Sequence, residues 1–129
     1  MISHKRQVGG WIELTRVAIS TKADGGLEDV VSSIFGKANT FTVVDIQDGT
    51  VKLVKVLKNP AASYKQGAGP TVVKMLADSD VNAVLSGEFG PGVSALLEQH
   101  HITMIKAKPG IVVSEAIKKV SWSQINIHI

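Results

Sequence analysis

Hydrophobic positions run along this chain as short β-branched stretches first and as helix-spaced stripes later. Val17-Ala18-Ile19-Ser20-Thr21 is apolar at successive positions, the pattern of a central strand buried on both faces. Phe41-Thr42-Val43-Val44-Asp45-Ile46 and Val51-Lys52-Leu53-Val54-Lys55-Val56-Leu57 flank Asp48-Gly49, a pair that supplies positive φ in a tight turn, and so predict a hairpin. Its second strand alternates imperfectly and carries lysines, as an edge strand does. Val72, Val73, Leu76 and Ala77 then share one face of a helix with Pro70 near its first turn. A short strand at 83–86 precedes a helix whose stripe is Val93, Leu96, Leu97 and His100. A strand at 102–105 precedes a last helix, with Val113, Ala116, Ile117 and Val120 at i, i+3, i+4 and i+7.

This order implies an α/β domain with a mixed five-stranded sheet covered by helices. With right-handed crossovers the strands, numbered along the chain, take the order 3-2-1-4-5 with strand 2 antiparallel. Residues 1–14 read as an N-terminal extension, 15–120 as the domain and 121–129 as a tail. Within the extension, Trp11-Ile12-Glu13-Leu14 either pairs as an edge strand or packs on the surface. In this arrangement the loops at 24–37, 59–69 and 87–92 emerge at one edge of the sheet, where the connections diverge and open α/β sheets place ligands. The loops are rich in glycine, which lets backbone amides approach an anionic or polar ligand. Each glycine alone reads equally well as a tight strand-to-helix turn; the convergence is what points to a site.

Composition narrows the chemistry. The 129 residues include no cysteine, which removes disulfides, thiol nucleophiles and cysteine-ligated clusters. The net charge of +3 is scattered among acids, without the basic and aromatic interleaving that stacks bases, so nucleic acid is not an expected partner. No apolar run approaches the roughly 20 residues that span a bilayer. The basic start, Met1-Ile2-Ser3-His4-Lys5-Arg6, leads into no signal-like apolar stretch. A cytoplasmic protein without membrane association is expected. Gly87-x-x-Gly90-x-Gly92 is neither a Walker loop nor a dinucleotide fingerprint. The central strand holds no carboxylate for a magnesium-dependent nuclease, no serine sits on a nucleophile elbow, and Asp45 is expected on the hairpin's solvent side. His100-His101 points two ways and suits a helix C-terminus better than chelation, while Met75 and Met104 are read as core filling. Trp11 and Trp122 either pack together or bury in a dimer, and the oligomeric state is left open.

The segment Val31-Ser32-Ser33-Ile34-Phe35-Gly36-Lys37-Ala38 completes the picture. Together with the 17–21 strand, Gly25-Gly26, the 41–46 strand, Asn59-Pro60-Ala61, Gly67-Ala68-Gly69, Ala83-Val84 and Gly90-Pro91, it resembles the dinitrogenase iron–molybdenum cofactor biosynthesis domain family over about residues 15–120. The resemblance implies a ribonuclease H-like three-layer fold without nuclease chemistry. It also implies a non-enzymatic carrier of iron–molybdenum or iron–sulfur clusters, with cofactor-assembly proteins as partners. The site residues so implied are Asp24, Gly25, Gly26, Ser32, Ile34, Phe35, Gly36, Lys37, Asn59, Gly67, Gly69, Gly87 and Gly90, with no metal ligand and no catalytic residue among them. Lys37 would attract negative charge, and Phe35 would wedge the loop into the core. Cofactor-carrying members commonly have His before Phe-Gly, where this chain has Ile34, which cannot coordinate iron. A cluster would instead rest against backbone amides and Lys37. Two other classes stay open: a small enzyme acting on an anionic metabolite with Asp24 or Glu88 as its acid, and an interaction or nucleic-acid-binding module.

Overall fold

The computed structural model describes residues 3–7 and 10–122, the backbone alone as far as residue 13. The strands are β1 (Ser3–Gln7), β2 (Gly10–Thr21), β3 (Thr40–Gln47), β4 (Thr50–Lys58), β5 (Ala83–Ser86) and β6 (Thr103–Lys106). The helices are α1 (Ala68–Asp78), α2 (Val93–Gln99) and α3 (Val113–Lys118), with 3-10 turns at Gly26–Glu28 and Phe35–Lys37. The five core strands lie in the order β4-β3-β2-β5-β6, which is the expected 3-2-1-4-5 when they are counted from β2. β3 runs antiparallel to its neighbours, whereas β2, β5 and β6 are mutually parallel.

Two expectations about the start of the chain change. The central strand begins at Gly10 rather than Val17, and its early half pairs antiparallel with β1, Ser3 opposite Leu14 and Gln7 opposite Gly10. Gly10 thus opens a strand of the sheet, opposite Gln7 of β1. Expectations for residues 123–129, His128 and the side chains of His4 and Trp11 lie outside the described residues.

Strand periodicity divides the interior into two layers of core. Even positions of β2, such as Ala18, face a cluster with Phe35, Phe41, Val72, Val73, Leu76, Val84, Val93 and Leu97, under α1 and α2. Odd positions, Val17 and Ile19, face Val31, Val44, Ile46, Leu85, Val113, Ala116 and Ile117, under α3. Fully burying one such side chain contributes roughly 1.5–3 kcal/mol, so both faces of β2 must be covered for the sheet to hold. Trp122 packs against the second cluster, and its indole Nε1 donates to the Ile117 carbonyl at 3.1 Å. The hairpin turn has φ 52° at Asp48 and 76° at Gly49, as the Asp-Gly pair predicts.

Asp45 does not face solvent. It lies opposite Arg16 in the register and is buried, accepting from Arg16 Nε at 2.7 Å and Nη2 at 3.1 Å. Arg16 Nη1 also donates to the Ser79 carbonyl at the end of α1, at 2.9 Å. The Asp45 carboxylate raises the Arg16 pKa above its ordinary value, so the guanidinium is charged throughout the working range. Met104 also departs from expectation: it projects from edge strand β6, 40% exposed.

Candidate functional site

The segment after the first 3-10 turn is pinned on both sides, and its backbone alternation determines what reaches the surface. Ser32 N donates to Ser20 O at 2.8 Å, Glu88 N to Ser33 O at 2.7 Å and Phe35 N to Glu88 O at 2.8 Å. Ile34 is extended, at φ −126° and ψ 124°, so consecutive side chains point opposite ways. Phe35 enters the core, fully buried, with its ring 5.4 Å from both Phe41 and Phe89, while Ile34 stays 47% exposed. The 3-10 turn that follows carries Lys37 outward, where its ammonium donates to the Tyr64 carbonyl.

Two buried polar side chains hold these loops. Asn59 Nδ2 donates to the carbonyls of Gly36 (3.1 Å) and Ala38 (2.8 Å), while its Oδ1 accepts from Ala61 N at 2.8 Å. Asp29 organises the turn at 24–26, its carboxylate accepting from Ala23 N (2.9 Å), Gly25 N (3.3 Å) and Val30 N (2.7 Å). Gly87 is required by close approach. A Cβ there would stand 2.7 Å from the Ser33 carbonyl oxygen, 3.1 Å from that of Ser32 and 2.7 Å from the Pro109 ring. Because the obstacle is largely backbone, Gly87→Ala is expected to cost about 1–3 kcal/mol of stability in urea unfolding. An unchanged midpoint would show that the 32–34 segment can move aside.

Between these loops lies a cleft of about 330 Å³. Its walls are Ile34, Gly36 and Lys37 from the first loop, residues 65–70 from the second, and Gly90, Pro91, Gly92, Val93 and Leu96 from the third. A Cβ on Gly69 would come within 2.8 Å of Val93 Cγ2, so glycine there sets how closely α1 approaches α2. The lining carries two cations, Lys37 and Lys65, and no carboxylate, hydroxyl, imidazole or thiol side chain. Both lysines are exposed, so an anion in the cleft meets their charge in a solvated setting that salt screens. Among the described residues no group of three or more His, Cys, Asp or Glu is placed to hold a metal ion.

Of the sequence-derived candidates, the structure brings Ile34, Gly36, Lys37, Gly67, Gly69 and Gly90 together around this cleft. Asp24, Gly25, Gly26, Ser32, Phe35, Asn59 and Gly87 lie outside its lining. Asp24 and Gly25 are exposed on the turn that Asp29 holds, Ser32 and Gly87 pair with each other, and Phe35 and Asn59 are buried supports. At Gly90 no neighbour forbids a side chain. α2 starts at Val93, two residues after Pro91. Sequence reasoning missed Lys65, Gln66 and Leu96. Lys65 was recoverable as a cation in a loop of small residues, whereas Leu96 reads as ordinary helical core.

The family model described as dinitrogenase iron-molybdenum cofactor matches residues 15–122. An uncharacterised protein of Methanocaldococcus jannaschii, MJ0580, is 30% identical over 77 residues, 60% of this chain. The match spans 65% of that relative's length. The apo form of the orange protein from Desulfovibrio gigas superposes with a TM-score of 0.75 at 27% identity, over 88% of this chain and 92% of that one. A Thermotoga protein, TM1290, provisionally designated NifB, gives a TM-score of 0.67 at 28% identity over 85% and 88% of the two chains.

Proposed function

The chain belongs to the dinitrogenase iron–molybdenum cofactor family, and on that premise we propose that it is a cytoplasmic, non-enzymatic carrier of an anionic metal–sulfur cluster. The cargo is an iron–molybdenum or iron–sulfur cluster, or a precursor, held between the loops at 34–37, 65–70 and 90–93 and passed to cofactor-assembly proteins. The observation that carries this reading is the lining itself: two lysines, the Gln66 amide, glycines and apolar residues, without an acid to repel an anion.

The donor set fits a preassembled cluster and not the coordination of bare metal. Position 34, where the resemblance implies histidine, holds an exposed isoleucine, and the chain has no cysteine. Binding therefore rests on charge-assisted hydrogen bonds to the cargo's own sulfides and terminal groups. Pro70, Pro91 and Leu96 offer apolar surface to its soft faces. The Lys37 ammonium gives one N–H to the Tyr64 carbonyl and has two more to offer the cargo. The lining offers no carboxylate, imidazole, hydroxyl or thiol to work with its two lysines in acid–base or nucleophilic chemistry.

The test is anaerobic incubation with isolated iron–molybdenum cofactor and, separately, with a synthetic iron–sulfur cluster. Gel filtration, metal analysis and ultraviolet–visible spectra follow. The carrier reading expects the cluster's absorption to co-elute with protein at a fixed metal ratio. Elution of all metal apart from the protein, with both sources, would reject it.

A further inference from the structure

A second cavity, also of about 330 Å³, opens on the opposite face of the sheet, between the end of β6 and α3. Leu85, fully buried, and Ala116, 3% exposed, form its floor. Ile105, Ala107, Ile111 and Val120 form half-buried walls. Lys106, Lys108 and Lys119 also line it, all three exposed. Lys106 lies opposite Ser86 in the register, one residue on from inward-facing Ile105, so its side chain belongs to the other face. Lys108 and Lys119 remain as cations of the rim. Among the described residues neither has an acidic partner: the α3 carboxylate Glu115 pairs with Lys118, at 3.7 Å.

We propose that this cavity is a second ligand site, for a small molecule that joins a compact apolar group to a carboxylate. The size lies at the lower end of small-molecule sites. The cavity lies at the carboxyl ends of parallel strands β5 and β6, where the chain leaves the sheet for α3. Four half-buried apolar side chains around one opening give the hydrocarbon part its contacts. Lys108, on the loop after β6, and Lys119, at the end of α3, grip the carboxylate from two sides. Charge complementarity selects the anion, and the apolar floor selects against small inorganic ions. Neither feature depends on the cleft at Lys37.

Amide NMR titration of the ¹⁵N-labelled full chain with 4-phenylbutyrate tests this directly, with 4-phenylbutanol and inorganic phosphate as separate arms. The acid is expected to shift the amides of Ile105, Ala107, Ile111, Lys119 and Val120 to saturation, leaving Lys37 and Gly69 unmoved. The alcohol should bind about tenfold more weakly, the loss expected when a charge-assisted contact is removed. Phosphate should produce no saturable shift. Lys108→Gln with Lys119→Gln, which disturbs no buried atom, should bring the acid's affinity down to that of the alcohol. Absence of saturable shifts at these amides, saturation elsewhere alone, or equal binding of acid and alcohol would overturn the proposal.

Discussion

Replacing Phe35 by alanine is expected to lower unfolding free energy by about 3–5 kcal/mol, the range for deleting a fully buried aromatic ring. Phe35 has no exposed surface and packs edge-on to Phe41 and obliquely to Phe89, both at 5.4 Å. The ring ties the loop at 34–37 to the nearby start of β3 and to the loop after β5, more than 50 residues on. Its removal leaves a cavity beneath the cleft, and backbone bonds such as Phe35 N to Glu88 O cannot close it. Urea unfolding followed by circular dichroism checks the magnitude. A loss below about 1 kcal/mol, within the range of an ordinary surface substitution, would contradict the wedge role.

Asn59→Leu is the second large effect, and its cause is polar. Leucine approximates the size of asparagine but strands three backbone groups that Asn59 satisfies: the carbonyls of Gly36 and Ala38 and the amide of Ala61. Each buried group left unpaired costs about 1–3 kcal/mol, so a total near 3 kcal/mol is expected after partial relaxation. The same change should release the loop at 35–38 from the loop at 59–64. Hydrogen exchange should therefore accelerate at Ala38 and Ala61 more than at Val84 in the sheet centre. Uniform acceleration across the domain would instead mark Asn59 as a general stabiliser with no special hold on the cleft.

The fold was legible because β-branched runs and helix-spaced stripes occupy separate stretches of the chain. Apolar β-branched runs marked β2 to β6, stripes marked the three helices, and the handedness of crossovers ordered the strands. What failed depended on partners distant in sequence. Asp45 in a hairpin strand reads as solvated until the register sets it beside Arg16 on β2. Met104 reads as core until β6 proves to be an edge strand. Around the cleft, glycines and Lys37 stood out because loop chemistry is local. Asn59 was named for a binding role, yet its amide spans to carbonyls 21 and 23 residues away, a reach that no spacing rule detects. Asp29, which acts on its own turn, was within reach of local reasoning and was overlooked beside the glycines.

The central claim is that an anionic cluster is held in the cleft by charge and hydrogen bonding rather than by coordination. Cluster retained per chain, measured anaerobically by metal analysis after gel filtration at low and high salt, tests it most directly in the native protein and in Lys37→Gln with Lys65→Gln. Near-stoichiometric retention that falls with salt and weakens at least about tenfold in the double variant is the predicted result. No retention by the native protein, or salt-independent retention equal in both proteins, would contradict it.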